Sequence, residues 1–275
     1  MPSAPTRRAE FAGSFYPSDE GKLSRFLERL LLDHRPDDGA LIHAQGCFVP
    51  HAGYMYSAEC AAATLAKIEI PDIAVLLHTK HTPQGKPLSI STYTAWETPL
   101  GRTPVSKRIA DLLNTLGPAK YDETAEEGEH AAEVVLPFLQ MLNRDLEVCV
   151  ISVAGVDNAT AKALGRSVAA ACKEVGDSDV LIVSSTDMNH YESRIRTEKL
   201  DDIALEQMEK MNPDGLLDAV RANKISMCGA SATAVMLHAC IELGCKECVV
   251  VDHTDSADAS GDYERVVGYA SGYVI

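Results

Sequence analysis

Imidazoles follow short apolar runs repeatedly in this 275-residue chain. His51 comes directly after the run Gly46–Pro50, His78 closes Ile73–His78, and His81 follows three residues later. Asp187 and His190 follow Asp179–Ser185, and His253 follows Cys248–Asp252. The runs are rich in Val and Ile and lack alternation, as expected for strands covered on both faces. Ligands of open α/β sheets bind beyond the carboxyl ends of strands, so these residues are the first candidates for a site. A lone His beside a strand is most often structural. Imidazoles converging from neighbouring strands suit a divalent metal, because neutral imidazole is a good donor to iron, copper and zinc. Asp187 and His190 are the candidate acid and base, since His titrates near neutral pH.

Cys228 precedes a helical pattern that begins near Ser231. A helix dipole favours a thiolate there, which would bind metal or act as a nucleophile; a buried thiol at a helix cap is the competing reading. In Glu129-His130-Ala131-Ala132-Glu133 the two carboxylates share one helical face and His130 is offset from it. They would orient a metal ligand from behind or decorate a solvated face. Cys245 and Cys248 form one C-x-x-C without a second Cys or His pair. That pattern reads as a helix end running into a buried strand rather than a zinc site.

The elements between these residues are helical by period. Gly21–His34 carries apolar residues at Leu23, Phe26, Leu27, Leu30 and Leu31. Ser57–Lys67, Val105–Leu116, Gly128–Leu142, Asn158–Val175, Lys199–Met211, Pro213–Asn223 and Ser231–Leu243 read the same way. Pro137 is expected to kink or shorten its helix. Glu147–Val153 is a further buried strand, and the more alternating Leu88–Tyr93 and Val266–Tyr273 suggest edge strands or strands with one exposed face. Strand and helix alternate, which predicts an α/β fold: a mostly parallel or mixed central sheet with helices on both faces. No linker or repeat interrupts it, so residues 1–275 read as one domain.

The chain has 25 basic and 40 acidic residues, a formal net charge of −15. Such a surface repels phosphate backbones and anionic membranes, so neither nucleic acid nor a membrane is an expected partner. No secretory signal or apolar stretch of spanning length is present, and the eight cysteines read as buried thiols or ligands. The expected location is cytoplasmic. The glycine-rich nucleotide loops are missing.

Several segments together resemble the Memo family, whose prokaryotic members are also called AmmeMemoRadiSam system protein B. They are Phe11-Ala-Gly-Ser-Phe-Tyr-Pro17, Pro50-His-Ala-Gly-Tyr-Met-Tyr-Ser57, the segment 129–140, Ser184-Ser-Thr-Asp-Met-Asn-His-Tyr191, Cys228-Gly229 and the segment 260–271. They occur in order over almost the whole chain. The resemblance implies a fold similar to class III extradiol dioxygenases, with His51, His81 and Cys228 as metal ligands and Asp187 and His190 lining the same pocket. Where the family usually has Gly-Pro-x-His, this chain has His78-Thr79-Lys80-His81, which adds a cation near the expected metal. The function implied is a redox enzyme using iron or copper, with zinc less expected, acting on an unidentified small molecule or peptide. The alternatives are a non-catalytic peptide- or partner-binding module, for which Lys80 and Arg102 are the candidate basic rim, and a zinc-dependent hydrolase. Family association suggests radical SAM and AMMECR-type proteins as partners.

Overall fold

A computed structural model describes residues 5–176 and 180–275. Its elements run β1 (Thr6–Arg7), α1 (Glu20–His34), β2 (Gly46–Val49), α2 (Tyr54–Leu65), β3 (Ile73–His78), β4 (Leu88–Ser91), β5 (Ala95–Thr98), β6 (Gly101–Pro104), α3 (Lys107–Leu116) and β7 (Lys120–Asp122). They continue with α4 (Ala131–Leu142), β8 (Glu147–Val153), α5 (Asn158–Val175), β9 (Val180–Ser185), β10 (His190–Glu192), α6 (Arg194–Glu209), α7 (Pro213–Asn223), α8 (Ala230–Leu243), β11 (Cys248–Asp255), α9 (Ala257–Ser260) and β12 (Val266–Val274). Of the strand expected over 179–185, Asp179 lies outside the described residues.

The main sheet is mixed, in the order β10-β12-β2-β9-β3-β8-β4-β7, with β11 also paired to β12. Its middle, β2-β9-β3-β8, is parallel. Both faces are covered, which is why these runs are continuously apolar. Cys47, Val49, Ala74, Leu76, Val148 and Val150 pack in the core shared with α1, α2 and α4. Phe48, Val75, Leu77, Cys149 and Ile151 alternate into the core shared with α3, α5, α7 and α8.

The expectation that the two alternating strands lie at an edge or carry one exposed face is corrected on both counts, since each is largely buried and paired on both sides. β4 lies between β8 and β7, and β12 lies beside β2 with β11 on its other flank. The alternation in β12 comes from small residues that let neighbours approach. A Cβ on Gly268 would sit 2.0 Å from the Asp201 carboxylate, and one on Gly272 would sit 2.2 Å from the Val249 carbonyl. The helix expected from Gly128 starts at Ala131 and runs through Pro137 to Leu142, so the proline does not shorten it. A second small sheet, β1-β5-β6, holds the N-terminal segment and buries Trp96 beside Arg7.

Candidate metal centre

β9 lies between β2 and β3, and the three carboxyl ends are level. Ser185 is in register with Val49 on one side and with His78 on the other. The residues just past these ends therefore share one place: His51, His81 and the segment from Thr186 to Asp187. The turn ahead of α4 brings a fourth chain segment to it from above. The ring nitrogens of His51, His81 and His130 lie within 4.8 Å of one another, and this is the group of potential metal donors found among the described residues. The His81 and His130 rings stack at 4.5 Å, and His51 stands edge-on to both. His130 is backed by Phe15 at 4.6 Å and Phe11 at 5.5 Å.

Neighbouring groups fix the orientation of two of these rings. Ser185 Oγ donates to the Ala131 carbonyl at 2.7 Å, so toward His51 Nδ1, also at 2.7 Å, it is an acceptor. His51 thus carries its proton on Nδ1, and Nε2 presents a lone pair. Glu129 accepts from His81 Nδ1 at 2.9 Å and from the His81, His130 and Ala131 backbone N–H groups. That leaves His81 Nε2 as the donor. Burial works against the Glu129 carboxylate, but the His81 hydrogen bonds and the His78 charge hold its pKa well below the ordinary range. Glu129 thus fixes the His81 ring, whereas Glu133 makes no contact with these imidazoles. Glu133 is buried elsewhere, accepting from Arg7, the Glu10 and Phe11 backbone and the Tyr16 hydroxyl.

Cys228 Sγ lies 3.3 Å from His51 Nε2 and accepts from the Asp187 N–H at 3.2 Å. Of the two readings of Cys228, a dipole-stabilised thiolate or a buried thiol at a helix cap, its surroundings favour the thiol. Burial and then the Asp187 charge push the Cys228 thiol upward, and both outweigh its position one residue before the cap of α8. Gly229 is what lets the thiol approach. A Cβ there would meet Thr186 Cβ at 2.4 Å and the Ser185 carbonyl at 2.6 Å. Asp187 is buried; its Oδ1 accepts the His51 N–H at 2.8 Å and its Oδ2 is 4.0 Å from His51 Nε2. Burial raises its pKa, with the His51 N–H opposing. His190 sits at the start of β10, its N–H bonded to Ser226 Oγ and its ring Nδ1 buried without a partner.

Two other histidines stand apart from the three-imidazole group. His78 is fully buried and pairs with Glu126 at 3.1 Å. His253 lies within the longer strand β11 and pairs with Asp201 at 3.1 Å. Burial opposes a charge on each, but the adjacent carboxylate wins and raises both pKa values. Desolvation lowers His51 far below its ordinary value, and it lowers His130 to about 4, with the other imidazoles adding to the effect. Both are neutral, metal-competent donors at neutral pH. Lys80 is half-buried, and Arg102 is turned to Thr6 of the small sheet. His130 was the residue that sequence reasoning passed over as a donor. Its signal was the adjacency Glu129-His130 at a helix start, where a residue outside the first turn faces the strand ends.

The fold and cluster define an α/β protein with three imidazoles gathered at parallel strand ends. The Memo-like protein family model matches residues 7–273, and the chain belongs to that family. A "MEMO1 family protein" of Aquifex aeolicus is 37% identical over 264 residues, 96% of this chain and 97% of that one. Another, from Thermotoga neapolitana, is 36% identical over 277 residues, 96% of this chain and 98% of its own length. In structure, the chain resembles an uncharacterized protein of Escherichia coli K12, with TM-score 0.50 and 13% identity over 82% of this chain and 98% of that one. No helix among the described residues is long and apolar enough to cross a membrane.

Proposed function

We propose that this chain is a metal-dependent redox protein whose ion, iron or copper, is held by His51, His81 and Cys228, with His130 as an adjacent fourth donor. The observation that carries the reading is the preset pair of lone pairs. Ser185 and Glu129 occupy the Nδ1 atoms of His51 and His81, so both Nε2 atoms are free to ligate, and a thiol touches the first of them. Imidazole and sulfur together favour iron, copper or zinc over magnesium or calcium. Such an ion supplies one-electron and dioxygen chemistry when bound, and its binding would release the Cys228 proton.

The remaining work falls to the chain. Asp187, buried and with its pKa raised by desolvation, offers a carboxyl within reach of the His51 edge to take up or give a proton. His190 offers an unpartnered ring nitrogen as a second acid or base. Phe11 and Phe15 press on His130 and exclude water from that side. His81, 34% exposed, marks the open side from which a small molecule or peptide would approach. A cytoplasmic location and service beside radical SAM and AMMECR-type proteins remain part of this proposal.

Anaerobic reconstitution with ferrous iron or cuprous copper tests it. Wild type is expected to retain one ion per chain and to consume oxygen in a metal-dependent way. His51→Ala and Cys228→Ser should lose the ion while keeping the far-ultraviolet circular dichroism of wild type. Stoichiometric retention by either variant, or selective uptake of zinc alone, would overturn the reading.

A further inference from the structure

Two cysteines flank the far end of α8, away from the candidate metal centre. The helix closes with Gly244 in the left-handed conformation, its N–H bonded to the Ile241 carbonyl at 3.0 Å. The next N–H, that of Cys245, bonds to the Cys240 carbonyl at 3.0 Å. This pair of bonds is the Schellman motif, in which side chains at the two ends of the longer bond touch. The position usually takes two apolar residues; here both are cysteines, so the motif places one thiol-bearing residue at each end of the Cys245 N–H to Cys240 carbonyl bond. Cys240 is fully buried, with Met236 Sδ 3.8 Å from its sulfur and Gly46 beneath it. Cys245 is half-buried and reaches solvent.

We propose that Cys240 and Cys245 are a peroxide-oxidisable dithiol that closes to a disulfide across the end of α8. A disulfide spans Cα atoms roughly 4.4–6.8 Å apart, and the backbone bond between the two residues keeps them within that reach. Cys245 is the attacking sulfur because it alone of the pair meets solvent, whereas Cys240 is buried. The thiolate attacks one oxygen of hydrogen peroxide and the O–O bond breaks. Cys245 becomes a sulfenic acid, and the departing hydroxide takes a proton to become water. The Cys240 sulfur then attacks the sulfenic sulfur, the S–O bond breaks, and the hydroxide leaves as water with the Cys240 proton. Two thiols and one peroxide thus yield one disulfide and two waters, and the buried partner protects Cys245 from further oxidation.

The test is peptide mapping of the full chain after hydrogen peroxide, under alkylating quench. Cleavage after Lys224, Glu242 and Lys246 puts Cys240 and Cys245 on separate peptides, Ile225–Glu242 and Leu243–Lys246. The expected result is that these peptides run joined, two hydrogen masses lighter, and separate on reduction. In Cys240→Ser the joined species should vanish and Cys245 should instead take up the sulfenic-acid probe dimedone. Joined peptides that persist in Cys240→Ser would assign the bond to Cys228 and overturn the proposal. A link from Cys245 to Cys248, or a wild-type Cys245 that is unmodified or over-oxidised without a link, would also overturn it.

Discussion

Glu129→Gln isolates the carboxylate that sets one side of the proposed metal centre. Glu129 Oε1 accepts His81 Nδ1–H at 2.9 Å, His130 N–H at 2.9 Å and Ala131 N–H at 3.0 Å, while Oε2 accepts the His81 N–H. Glutamine keeps the shape and supplies one acceptor. With its oxygen placed at the Oε1 position, three bonds survive without their charge assistance, and the amide NH2 faces the His81 N–H, donor to donor. One buried donor left without a partner costs about 1–3 kcal/mol, and relief of burying a charge offsets part of that. The net expectation is a destabilisation of about 2 kcal/mol with the fold retained. The effect on metal is separate: loss of a carboxylate behind a ligating His lowers affinity by roughly 10–100-fold. Anaerobic competition titration reads the affinity, and circular dichroism with urea unfolding reads the fold. A folded Glu129→Gln chain whose metal affinity stays within about threefold of wild type would refute the assignment of His81 as a ligand oriented by Glu129.

Three further outcomes are expected. The metal-free chain should lose stability as pH falls from about 6.5, the unfolded imidazole value, toward the value of about 4 held by His130. Across that window the unfolded chain binds the extra proton, so about 2.5 pH units at ~1.4 kcal/mol each remove roughly 3 kcal/mol; a urea midpoint whose pH dependence is identical in wild type and His130→Gln would refute this. Arg7→Met breaks a buried pair with Glu133 and should cost about 3–5 kcal/mol, read as a fall in Tm with faster proteolysis of the segment before α1. Gly229→Ala must displace Thr186 and the Ser185 carbonyl, costing about 1–3 kcal/mol and weakening metal uptake; unchanged uptake would show that the seat of Cys228 does not depend on that close approach.

The legibility of the fold followed from burial. The runs at 46–50, 73–78 and 147–153 are flanked by helices on both faces, so their continuous apolar character was a direct imprint of their surroundings. The small sheet carried no comparable mark. β1, β5 and β6 have two to four residues each, and two of the four positions of β6, Gly101 and Pro104, are poor strand formers. In β12 the glycines imitated an exposed face, because close approach by α6 and β11 demands small residues just as solvent tolerates them. At the site, His51, His81 and Asp187 were legible as residues following strands. His130 was not, because its position depends on where α4 begins, and helix starts are soft to within a few residues. Its role follows from a three-residue difference in that start.

The departure from the family's usual Gly-Pro turn before His81 has a structural replacement in this chain. His78, which stands where the turn begins, is buried; its Nδ1 meets its neighbour's carbonyl, that of Thr79, at 2.6 Å and its Nε2 pairs with Glu126. Three residues on, His81 is held at its backbone and its ring by Glu129. Glu126 and Glu129 come from one short segment ahead of α4, so two carboxylates clamp the loop after β3 at two points three residues apart. A Gly-Pro turn restricts the backbone by its own dihedral limits; here the restriction is imposed from outside by charge and hydrogen bonds. The same segment carries His130. The clamp therefore ties the second imidazole and the third to one rigid piece of chain, and the distance between them is set by the Glu129 carboxylate rather than by the loop's own conformation.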